Sequence, residues 1–407
     1  MLPLLQGIRV LDFTSIVLGP YATQMLGDLG ADVVKIEPLS GDLFRTVRPG
    51  RSRAMGAGFM GFNRNKRSLA IDLKRPESRR VLARLVAEAD AVVHNMRPKA
   101  AEGLGLGYAQ LAAIRPDLVY AFAAGYDQAG PNAGEPAYDD IIQAASGVAA
   151  LNANASGEPR YLSTILCDKV GGLHLAIAVA TGLAHRARTG LGCCIEAPMF
   201  ESTVSFLLSE QLGGETFVPA LGPTGYDRLA APNRRPYATA DGHMAILPYN
   251  GTHWAAFFEL IGRADLAQSP RVQDPVLRSQ SVNELYAVIA EVAPTRSTDD
   301  WLEALRAADI PCARVNSVGD LLHDPHLAAT GFFHEYDHPT EGRLRGHRPP
   351  FRWQGRADLP DLHAPRPGGD SRGVLRQAGF SDSDIDRLVA DGVVGVVGVD
   401  RATTETA

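Results

Sequence analysis

Asp168 is the residue whose type and setting could do covalent chemistry. It directly precedes Lys169-Val-Gly-Gly-Leu-His-Leu-Ala, a run of small and apolar residues that predicts a closely packed helix over residues 169–186. A carboxylate at such a helix start meets free backbone N–H groups and the positive end of the helix dipole, which would hold it ionised. The same position suits an ordinary capping aspartate, since Asp is among the commonest caps, so placement alone leaves both readings open. A second cluster, Asn65, Lys66 and Arg67 with Lys74 further on, gathers the cations and amide donors a phosphate needs, or else forms a solvated basic face.

Other chemistries find less support. The four cysteines, Cys167, Cys193, Cys194 and Cys312, have no zinc-site spacing, and the adjacent pair could close only a strained ring. His323 and His326 form a close histidine pair, and Pro325 between them works against a metal-binding helix, so no metal is expected. Glu37, at the end of a predicted strand, imitates a ribose-binding acid. Yet residues 15–30 lack the closely spaced glycines that let a backbone approach a dinucleotide pyrophosphate.

Elements must position these groups. Apolar runs predict strands at 8–13, 32–36, 68–72, 91–94, 118–122 and 194–197. Between them Ala22, Met25, Leu26 and Leu29 repeat at helical spacing, and a further helix opens at Pro76. Strands alternating with helices imply a largely parallel sheet covered on both faces. Residues 213–236, rich in Gly, Pro and Arg, read as a linker, and 237–247 as a hairpin on the two-residue turn Asp241-Gly242. Helices at 253–261, 281–292 and 298–308 complete a separate small domain. Ser381 with Asp384 announces the last helix as a variant capping box. The expected layout is a large domain from 1–212, a linker at 213–236, a small domain at 237–330, a return linker and second part of the large domain at 331–396, and a frayed tail at 397–407.

The 407 residues are 45% hydrophobic and 21% charged, enough apolar material for a large core, with a formal net charge of −6. Basic residues form no stripe, which argues against nucleic acid or an anionic membrane as partner. The N-terminus lacks a secretory signal, and no uninterrupted apolar run is read as long enough to span a membrane. The expectation is a cytoplasmic protein with reduced cysteines.

Several ordered motifs carry a resemblance from end to end: residues 7–13 (Gly-Ile-Arg-Val-Leu-Asp-Phe), 29–37 (Leu-Gly-Ala-Asp-Val-Val-Lys-Ile-Glu), 63–74, 95–98 (Asn-Met-Arg-Pro), 138–144, Cys167-Asp168 with Gly171-Gly172, 186–192 and 236–242. In these the chain resembles the class III CoA-transferases, a family that also includes alpha-methylacyl-CoA racemase. The resemblance implies a Rossmann-like α/β large domain built from both chain segments, a smaller inserted α/β domain, and an interlocked homodimer. It implies that Asp168 accepts the acyl group and then CoA, with Tyr138, Asp139, Gly171 and Gly172 in support and glycine N–H groups as oxyanion donors. It also implies a CoA site at Val17, Leu18, Asn65, Lys66, Arg67, Ile71, Lys74, Asn95, Met96 and Arg97. Coenzyme A and acyl-CoA are then substrates rather than tightly bound cofactors, with a carboxylic acid as the second partner. Pro38 and Gly103 stand where relatives often place CoA-facing basic residues.

The racemase branch carries a histidine before the aspartate matching Asp139, and this chain has Tyr138 there. An unperturbed tyrosine, with a pKa of about 10, is a poor base at neutral pH, so transfer ranks above racemisation. A non-catalytic CoA-binding protein is the third reading.

Overall fold

The structure is a computed structural model and describes residues 1–154 and 156–396. The expected fraying of 397–407 lies outside the described residues. The chain forms two compact units, one of Met1–Leu207 with the segment from His334 onward, the other of Leu208–Phe333.

The larger unit is organised by a seven-stranded sheet. Its strands are β1 (Arg9–Phe13), β2 (Asp32–Glu37), β3 (Lys66–Ile71), β4 (Ala91–His94), β5 (Val119–Phe122) and β6 (Cys193–Glu196), all mutually parallel in the order 3-2-1-4-5-6. A short strand from the C-terminal segment, Val394–Gly395, adds antiparallel to β3. Strands β1 to β5 are almost continuously buried, as expected when helices cover both faces. The Ser78–Ala87 helix, which places Val81, Leu82, Leu85 and Val86 on one buried face, packs on one side with Val374, Leu375 and Ile385.

The other side is built by α1 (Leu18–Asp28), α2 (Asp139–Ala145), α3 (Leu166–Thr189) and α4 (Met199–Gln211). Helix α3 begins three residues earlier than the small-residue run suggested, so Asp168 lies inside the first turn, not before it. At 24 residues, with a mean hydropathy of 1.3 over an 18-residue window, α3 has the length and composition of a membrane span, although Asp168, Lys169, His174 and Arg186 interrupt its apolar run. Its buried residues, among them Leu175, Val179 and Leu183, pack into the second core of this unit.

The smaller unit holds a three-stranded antiparallel sheet of Tyr237–Ala238, His243–Ile246 and Cys312–Arg314. Trp254, Phe257, Phe258, Tyr286 and Trp301 stack into its core from three helices, Gly251–Leu260, Val282–Val292 and Thr298–Ala307. The hairpin loop is four residues, not the expected two, because Ala238 pairs with His243. Asp241 is used elsewhere: its carboxylate accepts the Thr298 N–H at 2.8 Å, meeting a free donor at the start of the Thr298–Ala307 helix beside its Ser297 cap.

Candidate active site

In a 3-2-1-4-5-6 sheet the strand order reverses between β1 and β4, and a crevice opens at the carboxyl ends of those two strands. A cavity of about 270 Å³ lies there. Ser15 to Leu18 after β1, Asn95 to Arg97 after β4 and Ala123 to Gly125 after β5 line it, together with Glu135 to Tyr138, Met199 and Asp168.

The loop after β1 is held from several directions. Asn95 clamps the Ser15 peptide, accepting its N–H and donating to its carbonyl, both at 2.9 Å. Ile16 has a φ of +70°, unusual for a β-branched residue, and its N–H donates to the Asp42 carboxylate at 3.2 Å. Asp42 in turn is paired with the fully buried Lys35 ammonium at 2.8 Å, which also donates to the Thr14 carbonyl. This scaffold aims the N-terminus of α1 at the cavity, and no side chain caps that helix.

Helices α1 and α3 approach closely because Gly171 and Gly172 face α1. A Cβ on Gly172 would lie 2.7 Å from the Leu18 carbonyl oxygen, and one on Gly171 2.7 Å from the Leu18 side chain. The expectation that these glycines donate to an oxyanion does not hold. Both sit beyond the first turn of α3, where N–H groups are already used in the helix ladder. Gly172→Ala is expected to cost about 1–3 kcal/mol in denaturant unfolding, because backbone at the cavity wall must move to make room.

Asp168 is only partly exposed, and among the described residues no donor reaches its carboxylate. The free N–H groups of the first turn, from Cys167 and Asp168 itself, donate instead to Asp139 Oδ1 at 2.7 and 3.1 Å. Asp139 is 7% exposed, and its other oxygen accepts from Gln143 at 2.6 Å. Burial, and behind it the Asp139 charge, pushes the Asp168 carboxyl up to about 7. This reverses the expectation of an aspartate kept ionised by its helix. The neighbouring Cys167 thiol is pushed up to about 11, chiefly by burial, which removes it as a competing nucleophile.

The raised value has a stability consequence of definite sign. Between an ordinary carboxyl value of 3.8 in the unfolded chain and a folded value of about 7, the native state holds a proton that the unfolded chain has lost. Stability therefore falls as pH rises through that window. Asp168→Asn is expected to raise the unfolding midpoint at pH 8 and to change it little at pH 4, read by thermal melts at both.

Of the residues named from the sequence, Val17, Leu18, Asn95, Met96, Arg97 and Tyr138 line the same cavity as Asp168, and Tyr138 is 63% exposed. Arg97 is exposed at the rim, and Lys74 is exposed just beyond β3. The run 65–71 is elsewhere, and its assignment to CoA is corrected on four counts. The Lys66 ammonium is completely buried and donates to Asp12, Thr23, Asn63 and the Pro20 carbonyl at 2.8–3.0 Å. Asn65, 1% exposed, bonds Asp28 and the Leu362 backbone. Arg67 lies near the amino end of β3, paired with Asp32 at 2.7 Å, on the far edge of the sheet from the cavity. Ile71 is a core residue, 2% exposed.

Ser15, Ile16, Gly125, Glu135 and Met199 were not singled out from the sequence. Their only sequence signal is a position in segments that follow strands, Met199 at the start of α4 included, and strand order is needed to bring those segments together.

A parallel Rossmann-ordered sheet with a half-buried carboxylate of raised pKa in its switch-point cavity defines an α/β enzyme with an acid at its centre. The chain belongs to CoA-transferase family III, whose model matches residues 5–371. It is 33% identical over 348 residues to the succinyl-CoA:mesaconate CoA-transferase of Haloarcula marismortui, covering 82% of this chain and 86% of that one. It is 29% identical over 395 residues to the mouse succinyl-CoA:glutarate CoA-transferase, covering 96% and 90%. A solved CAIB/BAIF family protein from Brucella suis is 30% identical, with a TM-score of 0.77 over 92% of this chain and 99% of that one. The protein is accordingly a CoA-transferase that moves CoA from an acyl-CoA to a carboxylic acid.

Proposed function

We propose that Asp168 is the covalent carrier in this transfer. One Asp168 oxygen attacks the donor thioester carbonyl, the C–S bond breaks, and an aspartyl-acyl anhydride forms with release of CoA thiolate. The thiolate then attacks the aspartyl carbonyl of the anhydride, releasing the first acid as a carboxylate and leaving an aspartyl-CoA thioester. The acceptor carboxylate attacks that thioester, the C–S bond breaks to give a second anhydride and CoA thiolate, and the thiolate attacks the acceptor carbonyl, forming the new acyl-CoA and releasing the Asp168 carboxylate. No water or proton is consumed, and the thioester energy stays in an activated acyl link throughout. Water must be kept out, since either intermediate hydrolyses.

The observation that carries this reading is the Asp168 carboxylate itself, in the cavity without a hydrogen-bond donor among the described residues and with its basicity raised. Such a group is a better nucleophile than a solvated aspartate and loses little solvation on attack. Asp139 serves as a positioning residue, since it fixes the backbone N–H of Asp168. The uncapped start of α1, with the N–H groups of Val17 and Leu18, takes the oxyanion role first expected of the glycines. Asn95, Met96 and Arg97 border the CoA arm, and the exposed cations of Arg97 and Lys74 meet its phosphates. From the family resemblance we also infer a cytoplasmic enzyme, an interlocked homodimer, and a small domain at 237–330 inserted into the large one.

Trapping tests the proposal. Incubation with succinyl-CoA followed by hydroxylamine is expected to leave a hydroxamate on the peptide containing Asp168, found by mass spectrometry. An active preparation that never yields that adduct, or that carries it on another residue, overturns the assignment. Solvent deuterium entering the α-carbon without an acceptor acid would return the chain to the racemase reading.

A further inference from the structure

The smaller unit contains a cavity of about 190 Å³ lined by Tyr226, Arg228, Tyr249, Trp254, Arg278 and Tyr286. The Arg228 Cζ lies over the Tyr249 ring, 4.4 Å from its centroid, and its Nε donates to the Tyr286 hydroxyl at 3.0 Å. Arg278 is anchored by an Nη1 bond to the Val272 carbonyl. The ion pairs within this unit among the described residues are Arg263–Asp265, Arg271–Glu284 and Arg314–Asp299. Neither cavity arginine belongs to one. Two guanidinium groups therefore line one concave space with neutral phenols and carbonyls as their partners.

Like charges around a concavity raise its positive potential, and an anion that enters relieves the repulsion. A guanidinium matches a carboxylate in planar, two-pronged geometry, and contact with the Tyr249 ring and the Tyr286 hydroxyl holds the Arg228 group in place. The remaining wall, Tyr226, Trp254 and Tyr286, suits a short hydrocarbon chain. The space of about 190 Å³ is large enough to hold a small acid.

We propose that this cavity is a binding site for the carboxylate of a short-chain organic acid, formed by Arg228 and Arg278 and separate from the Asp168 cavity. It binds the free acid without CoA, so it stands whether or not Asp168 is the covalent carrier.

The test is isothermal titration of the full-length protein, free of CoA, with three probes: glutarate, its uncharged analogue glutaramide, and inorganic phosphate. Glutarate is expected to bind saturably and glutaramide not at all. Arg228→Gln and Arg278→Gln should each weaken glutarate by about tenfold or more, as loss of a charge-assisted bond requires. Arg228→Lys, which keeps the charge but not the fork, should fall between wild type and Arg228→Gln, and Asp168→Asn should bind as wild type does. Circular dichroism of each variant confirms that a loss of binding is not a loss of fold. The proposal fails if glutarate shows no saturable binding, or if folded arginine variants bind it unchanged. It fails equally if binding disappears in Asp168→Asn alone, which would place the acid in the other cavity. Phosphate binding as tight as glutarate would replace the carboxylate site with a general anion site.

Discussion

Asp168→Asn is expected to lower the exchange of labelled acid into acyl-CoA by about 10⁴-fold or more, with the protein still folded and still binding CoA. Asparagine occupies nearly the same volume and keeps the backbone N–H that donates to Asp139, so the start of α3 retains its cap. What it lacks is an oxygen that can form and release an anhydride. The loss should therefore fall on kcat, with KM for the acyl-CoA little changed. The wild-type rate should rise with pH on a limb centred near 7, where Asp168 ionises, rather than near 4. Removing the like charge with Asp139→Asn should move that limb to lower pH, a change that a purely structural role for Asp139 would not produce. A rate that survives in Asp168→Asn would refute the covalent role whatever the pH profile shows.

The second large effect is on stability. Lys66→Met is expected to destabilise the fold by about 3–5 kcal/mol, because it leaves Asp12, itself fully buried, without its nearest cation. Burial alone would push the Asp12 carboxyl up; the ammonium groups of Lys66 and then Lys35 outweigh it and hold Asp12 below the usual carboxylate range. Without Lys66, that balance shifts and the Thr23 and Asn63 oxygens lose a donor. Denaturant unfolding reads the loss. In whatever fraction folds, KM for acyl-CoA should match wild type, whereas a phosphate-binding lysine would raise KM and leave stability alone. Arg97→Ala supplies the contrast, with a higher KM and an unfolding free energy within about 0.5 kcal/mol of wild type.

Much of the larger unit was legible because its signals are local. Strand β4 is the predicted 91–94 segment, and the strand predicted at 68–72 begins two residues earlier, at Lys66. Ser381 caps the last helix, its hydroxyl accepting the Asp384 N–H as the motif suggested. Where a prediction failed, a distant partner was responsible. The Asp241-Gly242 pair reads as a tight turn until Thr298, 57 residues later, claims the aspartate. The basic run 65–67 reads as one surface. A strand turns alternate residues to opposite faces, however, and its first two cations found acids at Asp12 and Asp32.

The amino-acid order by itself determined where strands and helices form, that their alternation makes a parallel sheet, and which aspartate begins the small-residue helix. Apolar periodicity and turn chemistry act over a few residues, so they can be read in line. Only the folded chain decided the state of that aspartate. Asp139 comes from 29 residues away to take the N–H groups that Asp168 was expected to use, and the closing cavity walls strip water from its oxygens. Charge and desolvation depend on distances through space, and spacing along a chain does not record them.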